Sequence, residues 1–137
     1  MKGERWPVIY RDYFSDVSKY IADGNIIAHL STRRCAVYMR IANPSNYRYM
    51  DLQEEATFNF VKNMGLYIKE KYYETCPSAS MDKRIKLEDL YKDAKSNKFS
   101  VVVIYRLNIL AHNEELLQEI YHNLKQYNVY IISILGI

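Results

Sequence analysis

Apolar and polar positions settle into a regular alternation after residue 34 and follow a different rhythm before it. From Cys35 to Ile41 every position but Arg40 is apolar, which predicts a buried strand carrying one arginine to its C-terminal edge. The Asn43-Pro44-Ser45-Asn46 loop breaks it. A helix is expected from about Met50 to Met64, stopped by Gly65, with Leu52, Ala56, Phe60, Val61 and Met64 on its inner face. Leu66 to Tyr73 alternates as a strand with one wet face. After a loop from Thr75 to Lys83, a helix from about Ile85 to Lys95 turns Leu87, Leu90, Tyr91 and Ala94 inward. Phe99 to Tyr105, holding Val101-Val102-Val103-Ile104, is the continuous apolar run of a central parallel strand. A helix from about Asn113 to Tyr127 places Leu116, Leu117, Ile120, Tyr121 and Leu124 at core spacing, and Val129 to Ile134 closes the series as a strand.

Strands alternating with helices of these lengths predict an α/β fold. Its layers are three: a mostly parallel, twisted sheet with helices on both faces, joined by right-handed crossovers. Ligands bind such sheets at the edge where the strands deliver their last residues. Arg40 is aimed at that edge, and the residue two places on is Ala42.

Residues 1–34 form an extension to a domain spanning 35–137. Trp6-Pro7-Val8-Ile9-Tyr10 reads as a short extended piece. A helix is expected from about Ser15 as N-cap, with Asp16 in its first turn, Val17, Tyr20 and Ile21 on one face, and Gly24 as its stop. Asn25 to Leu30 is apolar again. Two readings stay open for the extension, a docking element and a helix packed on the sheet's flank.

Composition narrows the chemistry. The 49% apolar and 26% charged fractions are those of a soluble globular protein. The fourteen tyrosines suit half-buried strands or interfaces, since each buries a large ring and keeps a polar tip wet. A net charge of +3 without a basic run permits DNA contact but makes it weak and salt-sensitive for this chain alone. Cys35 and Cys76 lack CxxC spacing and neighbouring histidines, so no metal site or redox chemistry is expected. There is no apolar run of membrane-spanning length and no signal-peptide layout, so the expected setting is reducing and cytoplasmic. None of the four glycines forms GxGxxG or GxxxxGK[ST], which argues against a nucleotide cofactor held by either loop, and no cofactor is expected. His29, His112 and His122 are scattered.

Several phrases, in order, resemble the catalytic domain of serine recombinases, the resolvase and invertase family. Ala36-Val37-Tyr38-Met39-Arg40-Ile41 is similar to the family's first strand, usually Tyr-x-Arg-Val-Ser. Gln53 follows in the first helix, and the stretch from Lys71 to Arg84 fits a strand-end acid, a serine-containing loop and an Asp-Arg pair. Lys92-Asp93-Ala94-Lys95 and Phe99-Ser100-Val101-Val102-Val103 continue the likeness. Ile104 to Asn113 stands against a family pattern of Tyr-Lys-Leu-Asp-Arg-Leu-Ala-Arg-Asn, and Leu124 to Ser133 fits the last helix-strand step.

The resemblance implies a resolvase-like fold and an ancestral site for DNA phosphodiester cleavage. There a serine attacks the phosphate while arginines embrace the charge that builds on its oxygens. Carried over residue by residue, Arg40, Ser78, Arg84 and Gln53 match, and Glu74 conservatively replaces an aspartate. The nucleophile position is Ala42, and the Asp-Arg-Leu-x-Arg signature has become Asn108-Ile109-Leu110-Ala111-His112. Losing one charge-stabilising donor from such a site already costs about 3–4 kcal/mol. The vestigial site is thus Arg40, Glu74, Ser78, Arg84, Asn108 and His112, with Arg40 and Arg84 as candidate phosphate ligands; their bland alternative is ordinary surface arginines.

The expected role is a pseudo-enzyme of site-specific DNA recombination, a binding or regulatory module of a mobile element working with a protein partner or as a homo-oligomer. One alternative is an active strand-transfer enzyme using a relocated serine, Ser45 or Ser78. Another is a structural interaction protein whose extension covers Arg40. Full-length members continue into a long helix and a DNA-binding region; here Leu135-Gly136-Ile137 closes the sequence, so it is either a piece of a longer product or acts without its own DNA reader.

Overall fold

The computed structural model describes residues 8–10, 18–20, 30, 32–77 and 84–135. Its parallel core is built from β3 (Arg34–Ile41), α1 (Tyr47–Asn63), β4 (Tyr67–Thr75), α2 (Ile85–Lys95), β5 (Val101–Ile104), α3 (Glu114–Lys125) and β6 (Tyr130–Ser133). Two short strands precede these, β1 (Val8–Tyr10) and β2 (Ser18–Tyr20). The strands lie in the order β2-β1-β6-β5-β3-β4. Strands β4, β3, β5 and β6 run parallel, whereas β1 pairs antiparallel with β6 and with β2.

The chain leaves β3 toward β4, then returns past it to β5 and β6. Because parallel crossovers are right-handed, this reversal puts α1 on one face and α2 and α3 on the other. The alternation along β3 matches: Cys35, Val37 and Met39 pack with Val61 of α1. Ala36 and Tyr38 pack with Leu87 and Leu90 of α2 and with Ile120 and Leu124 of α3. All four residues of β5 are fully buried, as their unbroken apolar run predicts. Each such aliphatic side chain contributes about 1.5–3 kcal/mol by leaving water. Gly65 ends α1 with a φ of +73°, and an added Cβ would stand 3.1 Å from Arg33 Nη1. Asn113 caps α3, accepting a 2.8 Å hydrogen bond from the Leu116 amide.

Two expectations need correction. Ser18–Tyr20 is a strand, not a turn of the helix expected from Ser15; it pairs with β1, which in turn covers the outer side of β6. The rest of that expected helix lies outside the described residues, as do Trp6, Pro7 and residues 25–29. The inner face of α1 is also turned from the one predicted. Leu52 is 45% exposed, and Gln53 and Thr57 point inward instead, beside Val61, Phe60 and Met64, which pack inward as expected. Gln53 wins the inward position because it has main-chain partners at the end of β3.

Candidate functional site

Strand β3 leaves its partner β5 at the point where strand order reverses, and a crevice opens beyond their C-terminal ends. A cavity of about 230 Å³ lies there, lined by Arg40, Ala42, Asn46, Tyr49, Asn108 and His112, among others. Its strand side comes from β3, its helix side from the start of α1, and its far side from the 3-10 turn Leu107–Ile109 and the residues after it. Asn43 caps the 3-10 turn Pro44–Asn46, accepting from the Ser45 amide at 3.0 Å and from the Ser45 hydroxyl. Ser45 is exposed on that turn and does not line the cavity.

Arg40 is only 5% exposed. Its Nε donates to the Ile109 carbonyl at 2.8 Å, Nη1 to the Cys76 carbonyl at 2.9 Å and Nη2 to the Asn108 carbonyl at 3.1 Å. The main chain of Arg40 is gripped as well. Its amide donates to Gln53 Oε1 at 3.1 Å, and Gln53 Nε2 donates back to its carbonyl at 3.0 Å. The guanidinium thereby ties three segments together. Burial, with the nearby charge of Arg84, holds its pKa below the usual arginine value.

Arg84, 1% exposed, forms a second cluster behind the cavity. It donates from Nε and Nη2 to the Tyr38 hydroxyl at 3.2 and 2.8 Å and from Nη1 to the Leu110 carbonyl at 2.5 Å. The Tyr38 hydroxyl donates to Glu74 Oε1 at 2.5 Å, and Arg84 Nε stands 3.8 Å from the same oxygen. Burial is the main reason the Tyr38 phenol is pushed far above its ordinary pKa, so it stays protonated and able to donate. Glu74 also accepts from the Lys86 and Leu87 amides at 2.8 and 3.2 Å, capping α2 at the positive end of its dipole. Tyr38 was not a candidate in the sequence, yet it lies two residues before Arg40 on the same side of β3, a period-two signal.

The structure therefore brings Arg40, Ala42, Asn108 and His112 to one cavity and sets Glu74 and Arg84 in the cluster behind it. Ala42, Asn108 and His112 are exposed, while Arg40, Glu74, Arg84 and Gln53 are buried. Neither Arg40 nor Arg84 is an ordinary surface arginine. Arg40 is covered by the carbonyls of Cys76, Asn108 and Ile109, and no described residue of the N-terminal extension bonds to it. Ser78 lies outside the described residues. Among the described residues no group of three or more His, Cys, Asp or Glu side chains could hold a metal ion, and no helix is long and apolar enough to cross a membrane.

The fold and this crevice define the class, an open α/β domain with its site at the switch point of a parallel sheet. The sequence model described as "Resolvase, N terminal domain" matches residues 35–136, and the chain belongs to that family. Solved structures agree on the fold. The C-terminal catalytic domain of ISC1926 TnpA, an IS607-like serine recombinase, is 19% identical, with a TM-score of 0.68 over 75% of this chain and 71% of that one. The N-terminal catalytic domain of TP901-1 integrase is 18% identical, with a TM-score of 0.69 over 74% and 77%. A resolvase-family site-specific recombinase from Streptococcus pneumoniae is 18% identical, with a TM-score of 0.64 over 74% and 71%. No curated protein matches the chain by sequence. The chain is thus a serine-recombinase-like domain related to site-specific recombination.

Proposed function

We propose that this domain no longer cleaves DNA and serves as a binding or regulatory module in recombination, working beside an active recombinase. One observation carries the reading. At the cavity where the family resemblance puts the nucleophile stands Ala42, and the adjoining Arg40 has three N–H groups committed to main-chain carbonyls. A methyl group cannot attack phosphorus, and three of the guanidinium's five N–H groups are already taken by main-chain carbonyls, leaving one on each Nη. The cavity's exposed rim, Asn108 and His112, supplies polar groups but not the paired arginines that would stabilise a pentavalent phosphate.

DNA contact by the domain alone is weak and falls steeply with salt, in line with its small net charge. Residues 35–137 form the recombinase-like unit, and residues 1–34 are an extension that lends β1 and β2 to the sheet's edge. Two free, buried thiols, Cys35 and Cys76, suit a reducing compartment. The decisive experiment incubates the chain with supercoiled plasmid bearing its own genomic locus and looks for nicks and covalent protein-DNA adducts. None are expected. Adducts that disappear in Ser45→Ala or Ser78→Ala would overturn the proposal in favour of relocated chemistry.

A further inference from the structure

The end of the sheet opposite Arg40 is basic. Strands β3 to β6 run parallel, so the three helices run back against them and all finish beside the strands' N-terminal edge. There the last turns hold Lys62 on α1, Lys95 on α2 and Lys125 on α3, each complementing its own helix dipole. A parallel sheet gathers them into one face, to which Arg33, Arg34 and Lys98 add. Lys98 is held by Asp93 at 2.9 Å and Glu70 at 3.8 Å; among the described residues the other five make no ion pair. At the cavity end the charges are mixed, with Glu88, Glu114 and Glu115 in the same first turns or layer as Arg48 and Lys86.

A polar seat lies within this face. A cavity of about 340 Å³ is lined by Arg34, Asn97, Ser100, Tyr127 and Asn128, among others. Asn97 and Asn128 take up the left-handed backbone, φ +59° and +61°, where α2 and α3 end. Their turns consume their own main chain: the Lys98 amide donates to the Asp93 carbonyl at 3.2 Å, and the Val129 amide to the Leu124 carbonyl at 3.1 Å. No described residue bonds the two side-chain amides. Arg34 donates from Nε to the Lys98 carbonyl at 2.8 Å and from Nη2 to the Asn97 carbonyl at 3.2 Å, leaving three of its five N–H groups without a described partner. A docking peptide would want main-chain partners, and these turns have paired theirs. A nucleic-acid backbone needs none, because its phosphate oxygens accept from Arg, Lys and Asn side chains alike.

We propose that this basic face, and not the cavity beyond Arg40, makes the domain's contact with duplex DNA. It holds phosphates without reading sequence, and the cavity between Arg34, Asn97 and Asn128 seats one of them. The inference rests on the reading of the chain as a binding module that does not cut, and adds where on the domain the DNA lies.

The test follows the full chain and a labelled duplex of arbitrary sequence by anisotropy across a salt series. Binding should be indifferent to sequence and weaken with salt at a log-log slope of about −0.9 per phosphate met. In Lys95→Glu/Lys125→Glu affinity should fall about tenfold or more at low salt, and the slope should lose about one unit per lysine. Arg48→Glu/Lys86→Glu, an equal change of net charge at the cavity end, should cost less than about threefold. Asn97→Asp/Asn128→Asp, isosteric and at ease in the left-handed backbone, should weaken binding as the lysine pair does. Lys95→Gln/Lys125→Gln takes the place of the reversed pair should that pair not fold. The proposal is overturned if the cavity-end pair loses as much as the far-end pair, or if the asparagine pair binds as the parent does. It also fails if a polyglutamate peptide of equal charge binds this face more tightly than the duplex. Adducts in the plasmid assay would overturn the non-cutting reading and leave this mapping intact, so the two failures are distinct.

Discussion

The buried and exposed halves of the candidate site differ in how they compare with the family's pattern. Arg40, Gln53, Glu74 and Arg84 are each at most 5% exposed; three match the family's pattern and Glu74 replaces its aspartate conservatively. Ala42, Asn108 and His112 face solvent, and all three depart from it. Burial explains the difference. Each buried polar group is bonded to main chain that would otherwise be left without partners, so folding itself keeps it in place. The exposed positions touch water and the cavity, and only chemistry would constrain them. The positions that match the resemblance are the ones the fold also needs.

Cutting into the buried half should have the largest effect. Arg84→Met removes a guanidinium shared by Tyr38, Glu74 and the Leu110 carbonyl, and should lower stability in urea by about 3–5 kcal/mol. A loss below about 1 kcal/mol, the range of a surface ion pair, would remove the folding explanation for its retention. Arg40→Leu strands the carbonyls of Cys76, Asn108 and Ile109. The cavity beside it can admit water, so the expected cost is smaller, about 3 kcal/mol.

The interior also has a signature in alkali. Burial raises the Cys35 thiol from 9.0 to about 12, so the folded chain holds this proton more tightly than the unfolded one. Its contribution is complete below pH 9 and is lost as pH rises from 9 toward 12, with a slope of up to about 1.4 kcal/mol per pH unit. Urea titrations of Cys35→Ala over that window should show the slope reduced. An unchanged slope would mean that the thiol is not held in a desolvated core.

Ala42→Ser, on the exposed half, should change least. Stability should move by no more than about 0.5 kcal/mol. The same plasmid assay should yield no covalent adduct, because Ile109 and His112 still stand where the family pattern has its two arginines. Adducts from this single change would show that the rim lacks only its nucleophile, and that the buried half still serves chemistry.

Much of the fold was legible in the chain. The α2 span was predicted as it stands, and the parallel strands fell within a residue or two, because long runs with clear periods of two or 3.6 allow few alternatives. The rotation of α1 was hidden because Leu52 reads as a core residue and Gln53 as a surface one; hydropathy does not register a glutamine whose partners are a strand's own amide and carbonyl. Ser18–Tyr20 misled for a related reason, since three residues carry too little pattern to oppose a capping signal.

The sequence by itself determined the order of the elements and the hand of their crossovers; the strand order that places the switch point came with the tertiary structure. The sequence also determined that Ala42 follows the arginine-bearing strand without a nucleophile. Only the tertiary structure decided what the arginines do. Arg40 meets a carbonyl 69 residues away, and Arg84 meets a phenol 46 residues before it. No local periodicity encodes such pairs, because they exist only once separate loops are brought to one sheet edge and water has been excluded between them.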